Sequence, residues 1–234
     1  MEIILKKKPK NPIIIEGFPG LGLISTIVTE FLIKHLNAKS IGYIKAEEIP
    51  PVAAVHESRV VQPLELFYDK KSNLLIVHAL SDVKGMEWEI AKTMIKLASM
   101  LKAKEIISIE GIMSSTETNN AYYLCNKDAN SRRMAQAKIL PLKEGIIMGV
   151  TAAMMLTDRS VPKSGIFVET HTRLPDSRSA AKAVEVLDNY LGLKVDYKPL
   201  IKMAEEFEAK LKTLLTQTKK SQDYQKQKEL SYMG

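Results

Sequence analysis

Short apolar runs alternate along this chain with longer stretches whose apolar residues recur every three or four positions. Pro12-Ile13-Ile14-Ile15 reads as a buried strand, and Ile24, Ile27, Val28, Phe31, Leu32 and His35 follow at helical spacing. Between them, Glu16-Gly17-Phe18-Pro19-Gly20-Leu21-Gly22 must form a tight strand-to-helix turn. Its glycines allow close backbone approach, and Pro19 holds Phe18 extended. The spacing predicts a helix over 21–36, a strand over 40–44, and an edge strand at Ile3-Ile4-Leu5. Pro50 and Pro51 make 47–52 a rigid extended loop. Residues 56–68 alternate in part, 69–73 is a turn, and Leu74 to Leu80 is nearly continuously apolar. This reads as a β-hairpin whose second strand is central.

The second half repeats the alternation. A helix over 86–102 carries Trp88, Ile90, Ala91, Met94, Leu97 and Leu101 on a broad apolar face, with Ser81-Asp82 as candidate caps. Strand 106–110, a polar loop over 111–120, a short strand over 121–126 and a short helix over 130–137 follow. An extended piece over 138–142 and a glycine-containing stretch over 145–150 lead into a helix over 151–157. Ser164 to Glu169 is the last core strand. A helix then begins near Pro175-Asp176-Ser177 and stops at Gly192. Amphipathic helices between apolar strands predict an α/β fold: a three-layer αβα sandwich around a mixed, mostly parallel sheet, plus a C-terminal helical extension.

The division expected is a core over 1–198 and a C-terminal helix with a mobile tail over 199–234. Ala204, Phe207, Leu211 and Leu214 step at three and four residues, the spacing of a short coiled-coil seam. Two readings stay open: a self-association helix, or a helix docked on its own domain. Beyond Leu215 the seam turns polar, which favours mobility of the last residues.

Composition narrows the function. The formal charge is +7, but the lysines are scattered and aromatics are only 6%, with no series of stacking platforms. Nucleic acid is therefore not expected as a partner. No apolar run is long enough to span a bilayer and no signal-peptide pattern is present, so a cytoplasmic protein without membrane association is expected. Cys125 is the only cysteine, which excludes an intrachain disulfide and a cysteine metal cluster. It reads as a half-buried structural cysteine. His35, His56, His78 and His171 show no metal-ligand spacing, and His35 and His78 read as structural. No metal and no cofactor are expected.

The glycine turn fits neither a dinucleotide fingerprint nor a Walker loop, because the spacing is G-x-x-G-x-G and no lysine ends it. Close packing of the first helix on its strand is the preferred role over anion binding. Glu110, Glu169 and His171 lie at or just past strand ends, where α/β ligands bind, and with Asp82 and Ser114-Ser115-Thr116 they could line a crevice. No G-x-S-x-G elbow accompanies them. A non-enzyme with a polar rim is expected, and a small-molecule hydrolase or phosphorylase using Glu110, Glu169 and His171 is the alternative.

The Gly17-Phe18-Pro19-Gly20-Leu21-Gly22 turn, the Glu48-Ile49-Pro50-Pro51-Val52 loop and the Glu110-Gly111 strand end resemble the proteasome assembly chaperone family over roughly residues 10–195. Within it, they resemble the archaeal homologues, including the type called PbaB. The resemblance implies a phosphorylase/hydrolase-like α/β sandwich, a homo-oligomer (here expected as a tetramer or pentamer) and no catalysis. It implies an ATP-independent chaperone or scaffold for assembly of the archaeal proteasome, with C-terminal tails contacting α-subunits. A paralogous scaffold for a different protein client is a further alternative. The family's docking tail has tyrosine second to last after an apolar residue. Here the last residues are Leu230-Ser231-Tyr232-Met233-Gly234, so Tyr232 is displaced by one position and follows serine. Leu230, Tyr232, Met233 and Gly234 are the expected partner-binding residues.

Overall fold

The computed structural model describes residues 1–49, 53–56, 58–114, 118–157 and 160–205. The elements run β1 (Glu2–Leu5), β2 (Ile13–Gly17), α1 (Ile24–His35), β3 (Lys39–Lys45), β4 (Ala54–His56), β5 (Arg59–Val61), β6 (Leu64–Asp69) and β7 (Leu74–Ala79). They continue α2 (Glu87–Leu101), β8 (Glu105–Met113), β9 (Ala121–Cys125), α3 (Asp128–Gln136), β10 (Leu140–Pro141), α4 (Gly149–Leu156), β11 (Lys163–Thr170) and α5 (Ser177–Leu191). Nine strands form one sheet in the order β1-β3-β6-β7-β2-β8-β11-β9-β10, and β4 pairs with β5 alone.

Neighbouring residues of β2 show why the fold has three layers. Ile14 and Ile15 point to opposite faces of the sheet, and both are fully buried. Ile15 joins Val28 and Leu32 of α1 and Val184 and Leu187 of α5 in one core. Ile14 joins Ile90, Met94 and Leu97 of α2 with Val150 and Met154 of α4 in the other. A strand covered on both sides has no polar face to alternate, so its sequence is a continuous apolar run.

The centre of the sheet is parallel, through β7-β2, β2-β8 and β8-β11. The β6/β7 hairpin, β3 and β1 extend it antiparallel on one side, with β1 at the edge. On the other side β9 is antiparallel to β11, and β10 is parallel to β9. Four pairings are parallel and four antiparallel, so the sheet is mixed with a parallel centre rather than a parallel majority.

Most predicted elements are present, with shifts at the ends. The first helix is preceded by a 3-10 turn over Leu21–Leu23, so α1 itself starts at Ile24. β8 runs on through Met113, three residues into the stretch read as a polar loop. Ala54–His56 and Arg59–Val61 pair antiparallel as the small β4/β5 sheet. Asp82 does not cap α2, whose N-cap is Met86 without a side-chain bond. Asp82 instead accepts from the Lys84 N–H. At α5 both signals hold: the Asp176 side chain accepts from the Ser179 N–H, and Gly192 takes the left-handed conformation at φ 67°.

The close-packing role of the glycine turn holds at Gly17. A Cβ there would lie 2.5 Å from the Thr29 side chain and 2.7 Å from the Ser25 carbonyl oxygen. Ser25 itself donates to the Phe18 carbonyl, tying helix to turn. After α5, residues 198–205 are helical, and Leu200 belongs to the α1/α5 core. Ala204 is 4% exposed. The other seam positions, Phe207, Leu211 and Leu214, lie outside the described residues, as do Leu230, Tyr232, Met233 and Gly234. Among the described residues no helix is long and apolar enough to cross a membrane.

Candidate functional site

The parallel strands β2, β8 and β11 all point their C-terminal ends the same way, and the loops leaving them frame a crevice of about 710 Å³. The glycine turn after β2 forms one wall, the stretch over 82–87 before α2 another, and residues 142–150 before α4 a third. Glu110 and Gly111 of β8 and Phe167 of β11 close its inner end.

Two strands carry the same Ile-Glu-Gly sequence at this end. β2 finishes Ile15-Glu16-Gly17 and β8 carries Ile109-Glu110-Gly111. Glu16 pairs in register with Ser108, so Glu110 lies on the same sheet face two residues further along. The Thr151 hydroxyl of α4 donates to Glu110 Oε1 at 2.8 Å. Glu16 is 1% exposed, and its Oε1 has no hydrogen-bond partner among the described residues.

Burial sets the protonation of this pair. Desolvation first, and then the charge of Glu110, push the Glu16 carboxyl up to about 8. Desolvation pushes Glu110 up to about 7, against the opposing Thr151 hydrogen bond. The crevice floor therefore holds protons near neutrality that an exposed glutamate would release. A Cβ at Gly20 would lie 2.9 Å from Glu110 Oε2, so the turn also passes directly over this carboxyl. A phosphate cradled by the glycine turn would face the Glu110 carboxyl. That carboxyl weighs against anion binding.

Of the three residues in the predicted catalytic crevice, Glu110 alone lines this one. Glu169 accepts from the Thr118 hydroxyl at 3.0 Å, the Asn120 N–H at 2.9 Å and the Tyr122 hydroxyl at 3.0 Å. That environment holds its carboxyl below the usual range despite the cost of burial, and makes it a clasp between β9 and β11. His171 is exposed, with Nδ1 3.2 Å from the Ser114 carbonyl oxygen. Asp82 does line the crevice, while Ser115 and Thr116 lie outside the described residues.

The other candidates are structural. His78 Nδ1 lies 2.9 Å from the Thr29 hydroxyl, and burial lowers the ring's pKa. His35 stacks on Phe31 at 5.5 Å. Cys125 is half-buried with its Sγ 3.1 Å from the Ser164 hydroxyl oxygen, and burial pushes its thiol up, so it is not activated as a nucleophile. Among the described residues no group of three or more His, Cys, Asp or Glu could hold a metal ion.

Glu16, Thr151 and the 142–150 wall escaped the sequence reading. The available signal was the repeated Ile-Glu-Gly sequence of two apolar strands. The rim also exposes large apolar side chains: Met113, Ile146 and Met148 are more than half exposed.

The profile of the PAC2 family matches residues 14–215. An uncharacterised protein of Methanocaldococcus jannaschii is 29% identical over 214 residues, covering 89% of this chain and 87% of its own. The crystal structure of Pyrococcus furiosus PbaA, described as an archaeal homolog of proteasome-assembly chaperone, matches with TM-score 0.85 at 28% identity. The match covers 97% of this chain and 96% of that one. Pyrococcus furiosus PbaB, described as an archaeal proteasome activator, matches with TM-score 0.78 at 20% identity, covering 91% and 98%. At that identity the likeness is one of fold.

Proposed function

From the premise that the chain belongs to the PAC2 family, we propose that it is a non-enzymatic, homo-oligomeric scaffold that assists assembly of the archaeal proteasome without ATP. The observation that carries this is the end-to-end likeness to PbaA, which leaves almost none of either chain unmatched. The separation of Glu110 from Glu169 and His171 supports binding over catalysis. The exposed Met113, Ile146 and Met148 add apolar surface of the kind used for protein contact.

The proposed division of labour is a core over 1–198 and a tether over 199–234. Ala204, already buried in the chain, begins the tether's helical seam, and Phe207, Leu211 and Leu214 continue it. Leu230, Tyr232, Met233 and Gly234 contact the proteasome α-subunits, in the cytoplasm. Several tails on one tetramer or pentamer raise the effective concentration of each, so weak single contacts hold a multi-subunit ring.

The test is affinity for immobilised archaeal proteasome α-subunits. The full chain is compared with a chain truncated after Lys220 and with Tyr232→Ala. Loss of multivalent tail binding is expected to weaken association about 100-fold in the truncated chain. Tyr232→Ala is expected to lower it in the same direction. Equal affinity of the full and truncated chains would remove the tail from the reading. No binding by either would point to a different protein client.

A further inference from the structure

The crevice at the strand ends has an apolar body and an acidic floor. Phe18, Leu21, Val83, Ile147, Val150 and Phe167 supply apolar wall. Glu110 lies at the floor, with Thr151 on Oε1 and Gly20 beside Oε2. Behind it stands Glu16, whose Oε1 is buried and unpartnered among the described residues. The rim carboxylates Asp82, Glu87 and Glu144 outnumber the rim cations Lys84 and Arg173, although the whole chain carries a formal +7. No cation among the described residues pairs with Glu110. Burial and the Thr151 hydroxyl are what act on it. A carboxylate withdrawn from water calls for a positive partner or several donors, and here the protein supplies one hydroxyl. The volume is that of a small-molecule pocket, with few polar groups convergent at one end.

We infer that this crevice binds a small organic primary amine, its ammonium group on Glu110 and its apolar or aromatic body against Phe18 and Phe167. The three ammonium donors match the acceptor-rich floor, and the acidic rim favours a cation's approach. An anion of the same shape meets the wrong sign at both places. The site stands apart from the scaffold reading and does not depend on it.

Binding releases the proton from the share of Glu110 that still holds one, about a quarter of it at pH 7.5. The ammonium group favours ionised Glu110, whose proton leaves to solvent, while the deeper Glu16 keeps its own. Glu16 on β2 is the charged group coupled to Glu110, and Asp82 and Lys84 before α2, Glu87 on α2, Glu144 before α4 and Arg173 after β11 line the same crevice. With Glu110 at about 7, affinity for the amine falls about tenfold from pH 8 to pH 6.

The test uses the full chain and three probes of one shape: 2-phenylethylamine, 2-phenylethanol and 3-phenylpropionate. Calorimetry at about pH 7.5 is expected to show saturable binding of the amine, at least about tenfold tighter than the alcohol, and no binding of the carboxylate. Repeating the titration in buffers of different ionisation enthalpy is expected to reveal proton release. Glu110→Gln, close to isosteric, is expected to remove the preference for amine over alcohol. Its thermal unfolding, followed alongside, keeps lost binding distinct from lost fold. Three results each overturn the inference: no amine binding up to about 10 mM, equal or tighter binding of the carboxylate, or an unchanged amine preference in folded Glu110→Gln.

Discussion

Glu16→Gln is expected to flatten the pH dependence of stability between about pH 5 and pH 9 and to stabilise the protein at the alkaline end. In the folded chain the Glu16 carboxyl is held at about 8, from a usual value of 4.5. Above pH 4.5 the unfolded chain gives up this proton, while the folded chain keeps it until about pH 8. The unfolded state therefore binds fewer protons across that window, and stability falls as pH rises. At about 1.4 kcal/mol per pKa unit, Glu16 alone accounts for a loss on the order of 5 kcal/mol by about pH 9. The glutamine side chain carries no charge in either state, so in the variant this loss disappears. Urea unfolding of both proteins across this range is the check. A wild-type curve as flat as that of Glu16→Gln would contradict the burial argument.

Glu105→Ala is expected to destabilise the fold by about 4 kcal/mol. Glu105 begins β8, at the end of the sheet opposite the crevice, and is 1% exposed. It accepts from the Ser164 hydroxyl of β11 and from the Tyr190 hydroxyl of α5, at 2.8 Å to Oε2. Arg133 of α3 stands 3.6 Å away, with its guanidinium 4.5 Å from the centre of the Tyr190 ring. One carboxyl thus joins β8, β11, α3 and α5. Its removal strands two buried hydroxyls, leaves Arg133 without its partner and opens a cavity. For a chain of this length the expected fall in melting temperature is about 10 °C. A loss below about 1 kcal/mol would mean that water replaces the carboxyl without penalty.

The elements that sequence patterning reached are those whose signal is local. The apolar runs of β2 and β7 are covered on both faces. The ends of α5 carry their own chemistry in Asp176 and Gly192. Patterning failed where a distant partner decides. Gly111 to Met113 reads as the start of a polar loop, yet it is strand because β11 offers Val168 to Thr170 as partners. Lys163 looks like a boundary residue before an apolar strand. It is buried because its ammonium group donates to the Met154 and Thr157 carbonyls at the end of α4.

The candidate site divides in the same way. Glu110 was legible from its place at a strand end. Glu16 was read as part of a turn, because its burial depends on β8 and α4, far along the chain. Glu169 and His171 share the strand-end position with Glu110, but spacing does not reveal that Tyr122, Asn120 and Thr118 have already claimed Glu169.

An oligomer that presents several tails to one client is directly visible by native mass spectrometry. The full chain is mixed at micromolar concentration with archaeal proteasome α-subunits, without nucleotide. A complex containing four or five copies of the 26.2 kDa chain together with α-subunits is expected. A 26.2 kDa monomer beside unbound α-subunits would contradict it, because the multivalent argument then has nothing to act through.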